Sequence, residues 1–303
     1  QIEKTKEWLD DPANLVLTLS DRRYPRQLLE IADPPLLLYV KGRVELLTSP
    51  SIAIVGSRNA TTQGRLDAEE FAHSLSDTGL TIVSGLALGI DTAAHEGGLK
   101  GRGSTVAVIG TGADIVYPAR NRELAHRIAN EGCIISEFPL GSGPVASNFP
   151  RRNRVISGLS GGILVVEAAA RSGSLITAKA AIDQGRDVFA IPGSIHSPLS
   201  RGCHELIRQG AKLVESSQDI LEELKHFSDI VVHQSSEERE DGEFSDEQKA
   251  ILEQMGYDPV DADTLSERCD MDAASISVEL LNLELSGNVE SLPGGFYRRL
   301  VTS

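Results

Sequence analysis

Arg58 follows a glycine that ends the apolar run IAIVGSR (52–58), and Arg151, Arg152 and Arg154 surround Asn153 just after Phe149. A guanidinium presents a fork of donors that fits phosphate oxygens. Backbone that turns sharply off a buried strand into a helix also leaves its first N–H groups unpaired, and these attract anions. TIVSGLALGID (81–91) and STVAVIGTGAD (104–114) repeat the strand-then-glycine pattern, and Ser172-Gly173-Ser174 opens a further helix. Several such turns on one sheet edge make a phosphate-binding rim. Three arginines beside an aromatic suit single-stranded nucleic acid, which needs neutralised phosphates and a face for a base. A helix starting near 151 cannot point all three the same way, so some of them are structural. For Arg58 the alternative is a solvated surface role; its place at the sheet's carboxyl rim favours ligand contact. Ser172-Gly173-Ser174 is either a plain helix cap or a phosphate seat.

Other chemistries find less support. Gly110-Thr111-Gly112 follows a strand, but Ile115 stands where a dinucleotide fingerprint wants its third glycine, and no acidic residue closes the next strand at the required distance. A Walker loop is absent. Enzymes of hydrolysis or transfer need a base near a nucleophile or a metal. His126 and His196 are isolated, and no His/Asp/Glu set has ligand spacing. Asp91 and His95 stand four apart on one helix, where an anchoring pair is favoured over a catalytic one. Glu167, ending GILVVEA, reads either as a catalytic acid or as a strand-end acid that fixes the next loop. Cys133, Cys203 and Cys269 are too scattered for a disulfide framework or a zinc site and read as buried thiols in a reducing cytosol. No cofactor, no metal and no catalysis are expected.

These residues need a scaffold to hold them. From 51 to 215, apolar runs (IAIV, LTIV, TVAVI, CIIS, GILVV, DVFAI, AKLV) alternate with helical segments at 63–78, 89–99, 121–131, 151–159, 173–184 and 203–209. Continuous apolar strands separated by helices mark an α/β fold with a mostly parallel sheet covered on both faces. Residues 1–50 read as an N-terminal extension with a short helix and a brief strand at LLLYV. Residues 51–227 form the sheet domain and 228–245 an acidic linker. Residues 246–303, with three helical segments and a Pro-Gly-Gly hairpin, read as a small winged helix.

The net charge of −15 argues against a nucleic-acid partner only until it is placed. Residues 51–215 carry 16 Lys/Arg and 15 Asp/Glu, whereas residues 216–303 carry 6 and 21. The glycine-rich middle is therefore free to have a basic face. No apolar run reaches eighteen residues and no leader opens the chain, so a cytoplasmic protein with no membrane partner is expected. Gln1 in place of an initiating Met fits a natural N-terminal piece lying before it.

GSRNATTQG, SGLALGIDTAAHEGGL, VIGTGADIVYPARNREL, SEFPLGSGPVASNFPRRNRVISGLS, VVEAAARSGSLITAKAAIDQGRDVFAIPG and GCHELIRQGAKLV together resemble the DNA-processing protein A (DprA, also called Smf) family over residues 20–225. The resemblance implies an extended Rossmann-like fold that binds single-stranded DNA without cutting it, protects it during natural transformation and recombination, and loads the RecA recombinase. Carried over by motif, it places the DNA pocket on Gly56, Ser57, Arg58, Ser84, Gly85, Phe149, Arg152, Asn153 and Arg154. It implies a homodimer through His204, Ile207 and Leu213, with RecA contact overlapping that region and including Ile182. Many members carry Asn where this chain has His204. Many also carry a helical N-terminal domain, of which residues 1–50 would hold the remnant. The winged helix is acidic, so it reads either as a protein-contacting or regulatory module or as a passive acidic appendage, rather than as a duplex binder. The competing assignment is a nucleotide phosphoribohydrolase-like enzyme on a related sheet using Glu167, although the Pro-Gly-Gly-x-Gly-Thr loop of such enzymes is absent.

Overall fold

The computed structural model describes residues 1–224, 245–256, 258–269, 271–292 and 294–300. They form two compact units, one within 1–233 and one within 234–303. The expected linker, 228–245, lies outside the described residues except for Ser245.

The first unit opens with α1 (Ile2–Trp8), β1 (Asn14–Thr18), the short α2 (Arg26–Leu29) and β2 (Leu37–Gly42). Regular alternation then begins with β3 (Ser51–Val55), α3 (Thr62–Asp77), β4 (Thr81–Ser84), α4 (Ile90–Lys100), β5 (Thr105–Val108) and α5 (Arg122–Glu131). It continues through β6 (Cys133–Ser136), α6 (Asn148–Leu159), β7 (Gly162–Val165), α7 (Gly173–Asp183) and β8 (Asp187–Ala190). The helix α8 (Arg201–Arg208), β9 (Lys212–Leu213) and α9 (Ser217–Leu224) complete it.

All nine strands share one sheet in the order β1-β2-β6-β5-β4-β3-β7-β8-β9. Strands β6 through β9 of that order run parallel. Side chains alternate across β3, with Ala53 and Val55 in one core cluster and Ile52 and Ile54 in the other. Both faces are dry, which is why the strands read as unbroken apolar runs. From β3 the chain moves outward to β4, β5 and β6, then returns to the other side of β3 as β7, β8 and β9. The reversal between β3 and β7 is a topological switch point, where the carboxyl ends of strands open a crevice.

Residues 14–42 do not stand apart from the sheet domain as the expected extension would. β2 pairs antiparallel with β6, and β1 pairs antiparallel with β2, so this segment continues the main sheet. The cause is burial. Leu17, Tyr24, Leu28, Leu38 and Val40 enter the same core cluster as Ala53 and Val55, and the hairpin covers what would otherwise be a free edge on β6. Among the described residues no helix is long and apolar enough to cross a membrane. Cys133 and Cys203 are buried thiols and Cys269 is half-buried.

The second unit contains α10 (Asp246–Met255), β10 (Val260–Asp261), α11 (Ala262–Cys269), α12 (Ala273–Leu285), β11 (Val289–Leu292) and β12 (Phe296–Arg299). Its three-stranded antiparallel sheet has the order β10-β12-β11. Ser245 and Gln248 form a capping box that starts α10. Ile251, Leu265, Ile276, Leu280, Leu283 and Val289 build a small core of their own. This is a winged helix.

Candidate nucleic-acid interface

The crevice at the switch point is a cleft of about 670 Å³. Its floor and walls come from the loops after β3, β4 and β7, from the N-terminal turns of α6 and α7, and from Tyr117. Gly56 makes the turn off β3, where an added Cβ would come within 2.6 Å of the Ile90 side chain and 3.0 Å of the Glu167 carbonyl. Only glycine leaves the β3 loop this close to α4. The Ser57 hydroxyl accepts from the Asn59 N–H at 3.1 Å, holding the loop that carries Arg58.

Arg58 is exposed at the mouth of the cleft, its Cζ 5.8 Å from the Phe149 ring centroid. Phe149 in turn lies 5.7 Å from the Tyr117 ring. Among the described residues no carboxylate forms an ion pair with Arg58. Facing it, α7 starts at Ser172, whose hydroxyl accepts from the Ser174 N–H at 3.3 Å and shares a hydrogen bond with the Ser174 hydroxyl at 2.7 Å. Open space surrounds the Gly173 Cα. An exposed guanidinium, two aromatic rings and the positive end of a helix dipole thus border one cavity.

The three arginines of α6 do not act together. Their directions differ around the helix: Arg152 points into the protein, whereas Arg151 and Arg154 share Glu137. Arg152 is only 5% exposed. It donates to the Gly85 carbonyl at 2.6 Å, to the Val108 carbonyl, and to Asn153 Oδ1 at 3.2 Å. Burial pulls its pKa down to about 10, against the attraction of Asp91, so it remains a cation near neutrality. Arg154 pairs with Glu137 at 2.5 Å and with Asp33 at 3.4 Å. Arg151 meets the same Glu137 oxygen at 3.2 Å but keeps 61% of its side chain exposed. Arg154 therefore does not reach the cleft as expected. Arg152 lines it only as a buried charge in the floor.

Ser84 and Gly85 also belong to the scaffold rather than to the lining. Ser84 is fully buried and donates to the Ile54 carbonyl at 2.7 Å. A Cβ on Gly85 would come within 2.3 Å of the Arg152 guanidinium. Gly56, Ser57, Arg58, Phe149 and Asn153 do meet in the cleft.

Asp91 and His95 do not bind each other. Asp91 Oδ2 accepts from the N–H groups of Gly85 at 3.1 Å and Ala87 at 3.3 Å. Burial pushes its carboxyl up, with Arg152 and those two amides acting against the rise. His95 Nε2 accepts from the Leu86 N–H at 3.2 Å. Its Nδ1 therefore carries the ring proton and donates to Thr105 Oγ1 at 2.7 Å, and that hydroxyl donates to the Ile82 carbonyl at 2.7 Å. The loop they hold has Leu86 at a φ of 61°, a left-handed conformation disfavoured for leucine. Asn121 completes the clamp by donating to the Leu86 carbonyl at 2.9 Å and the Ala87 carbonyl at 3.2 Å. Nothing in the sequence around Asn121 signals that role, and Tyr117 was equally silent as a cleft residue.

Glu167 is also engaged. Its two oxygens accept from the Thr61 N–H at 2.9 Å and the Thr61 hydroxyl at 2.6 Å. Thr61 is the N-cap of α3, so this carboxylate fixes the start of that helix.

The remaining expected contacts lie away from the cleft. His204 Nε2 is 2.9 Å from the Gly193 carbonyl oxygen, and Ile207 packs half-buried on the sheet core. Leu213 on the edge strand β9 is 43% exposed and Ile182 on α7 is 49% exposed.

Both units match known families. The family described as DNA recombination-mediator protein A matches residues 15–225, and that described as DprA winged helix domain matches 235–295. Protein Smf of Escherichia coli (strain K12) is 41% identical over 98% of this chain and 80% of its own length. The DNA processing protein DprA of Streptococcus pneumoniae is 50% identical over 73% of this chain and 77% of its own. An X-ray structure of DprA from that organism superposes with a TM-score of 0.68, covering 73% of this chain and 77% of the other at 48% identity. A DNA processing protein A from Helicobacter pylori, whose structure addresses its single-stranded DNA binding mode, gives a TM-score of 0.64 at 30% identity over 70% of this chain and 96% of the other.

Proposed function

The chain belongs to the DNA recombination-mediator protein A (DprA/Smf) family, and on that premise we propose that it binds single-stranded DNA in the cleft at the β3/β7 switch point. It protects the strand and loads the RecA recombinase onto it during natural transformation or homologous recombination, in the cytoplasm, and it catalyses no reaction. The observation that carries this reading is Arg58, an exposed guanidinium without a carboxylate partner among the described residues, resting on Phe149 opposite the start of α7. That arrangement offers a charge for a phosphate and a ring for a base.

The non-catalytic reading is supported by where the candidate acid and base are spent. Glu167 caps α3 through Thr61, and His95 is enclosed with both nitrogens bonded. The same engagement of Glu167 weighs against the phosphoribohydrolase alternative. A homodimer through α8 and β9, around Leu213, would place two clefts on one strand and raise the effective affinity. RecA would meet the neighbouring surface that includes Ile182.

Arg58→Ala tests the site directly, with binding of an unpaired oligonucleotide followed by fluorescence anisotropy across a salt series. Affinity should fall about tenfold, and the slope of log K against log salt should become shallower by roughly 0.7, the share of one phosphate on a single strand. An unchanged affinity together with an unchanged slope would move the DNA site elsewhere.

A further inference from the structure

Helix α12 has two apolar faces. Ile276, Leu280 and Leu283 are fully buried in the core of the winged helix. On the opposite side, Ala274, Val278, Leu281 and Leu285 are exposed, the last three by 56%, 55% and 80%. Their spacing is i, i+4, i+7, i+11. This is the three-four repeat of a seam that receives another helix, carried over two heptads. Isolated exposed leucines need no explanation, but a continuous stripe on one side of a helix does.

In a helix-turn-helix, the second helix of the pair is the one laid in the DNA groove. α12 holds that position after α11, yet it presents an apolar ridge bordered by Glu284 and begun by the exposed cap Asp272. Residues 246–300 carry twelve Asp/Glu and four Lys/Arg, a net of −8. In the hairpin, Arg298 is taken by Glu290, with Nε to Oε1 at 2.8 Å, and Arg268 donates to the Gln254 carbonyl at 3.0 Å. Phosphates would meet a net negative field in which Arg268 and Arg298 are already engaged.

A second copy of the same unit meets the same objection, because two surfaces of the same net negative charge would oppose one another. Four side chains also fall well short of the ~800 Å² per partner that a stable stand-alone interface uses. The charge calls for a partner of opposite sign, and the spacing calls for a helix. We propose that the exposed face of α12 docks a basic amphipathic helix from another protein, with apolar side chains at three-four spacing against Val278, Leu281 and Leu285 and with Lys or Arg along its flanks. This assignment is independent of the DNA cleft.

The test uses the full chain and three fluorescein-labelled 21-residue peptides. One has leucine at both seam positions of each heptad and lysine at both flanks, the second replaces those lysines with glutamate, and the third scrambles the first. Anisotropy titrations are run on the parent and on Leu281→Ser/Leu285→Ser, with a Val278→Ser single variant as the milder change should the double variant fail to fold. The lysine-flanked peptide should bind the parent, bind the double variant at least tenfold more weakly, and bind Val278→Ser about threefold more weakly. Equal binding of the scrambled or glutamate-flanked peptide would overturn the proposal, as would unchanged binding by the variants. It also fails if sedimentation shows the parent self-associating through this face, or if the substitutions abolish binding to a 20-base-pair duplex instead.

Discussion

His95 lies wholly inside the first unit between Leu86 and Thr105, and burial holds its imidazole down at about 3. The unfolded chain takes up that proton near pH 6.5. Since the folded value is the lower one, the stability this contributes is complete above pH 6.5 and is lost as pH falls toward 3, at about 1.4 kcal/mol per pH unit. Asp91 and Glu137, both pushed up by burial, act in the opposite sense once pH drops into their range. Urea midpoints should therefore fall between pH 7 and 5. In His95→Gln, which keeps an acceptor for Leu86, the midpoint should start lower and change less over that interval; an equal pH slope in both proteins would remove His95 as the cause. At this scale the sequence was readable only in part. Arg58 could be placed from the strand and glycine before it. Which of the α6 arginines faced solvent could not, because Glu137 is 17 positions from Arg154 and Asp33 is 121 away. Partners that distant leave no local trace.

Helices α3 and α4 cross closely at Gly97, where a Cβ would lie 2.0 Å from the Glu69 carbonyl oxygen and 2.8 Å from the Ala72 Cβ. Alanine is the better helix former by about 1 kcal/mol. Overpacking should nevertheless win, so that Gly97→Ala lowers stability by roughly 1–3 kcal/mol. Thermal or urea unfolding would register it, and a stabilised variant would show that the two helices separate freely. Most helices were legible from period and capping; α3 was expected over 63–78 and runs Thr62–Asp77. Two depart from this: α9 (Ser217–Leu224) was not expected, and α6 starts at Asn148 rather than 151. Pro150 sits in its first turn, where the missing N–H costs nothing, and so it does not mark the boundary. The loop ahead of α4 was legible as a glycine turn, but not the clamp of Asp91, His95 and Asn121 that sets its shape.

For the molecule as a whole, the proposed pairing of two protomers at β9 is expected to raise affinity for a long strand. Leu213→Glu should yield a monomer by sedimentation equilibrium. It should weaken binding to a 40-nucleotide strand by tenfold or more while changing a strand that fills one cleft by less than about twofold. A variant that stays dimeric would place the interface elsewhere. The parallel sheet and the winged helix were visible because each repeats a local pattern, apolar run then helix, or three helices then a hairpin. The hairpin β1–β2 was not, since its partner β6 lies far along the chain and pairing of that kind has no sequence period. That remote pairing has a bearing on synthesis. About ninety residues separate β2 from β6, and translation adds roughly 5–20 residues per second. Leu38 and Val40 thus wait several seconds on the ribosome with only the neighbouring β1 to pair with. The strands made before β6 are seated late, and a factor that shelters nascent polypeptides would find an apolar target there.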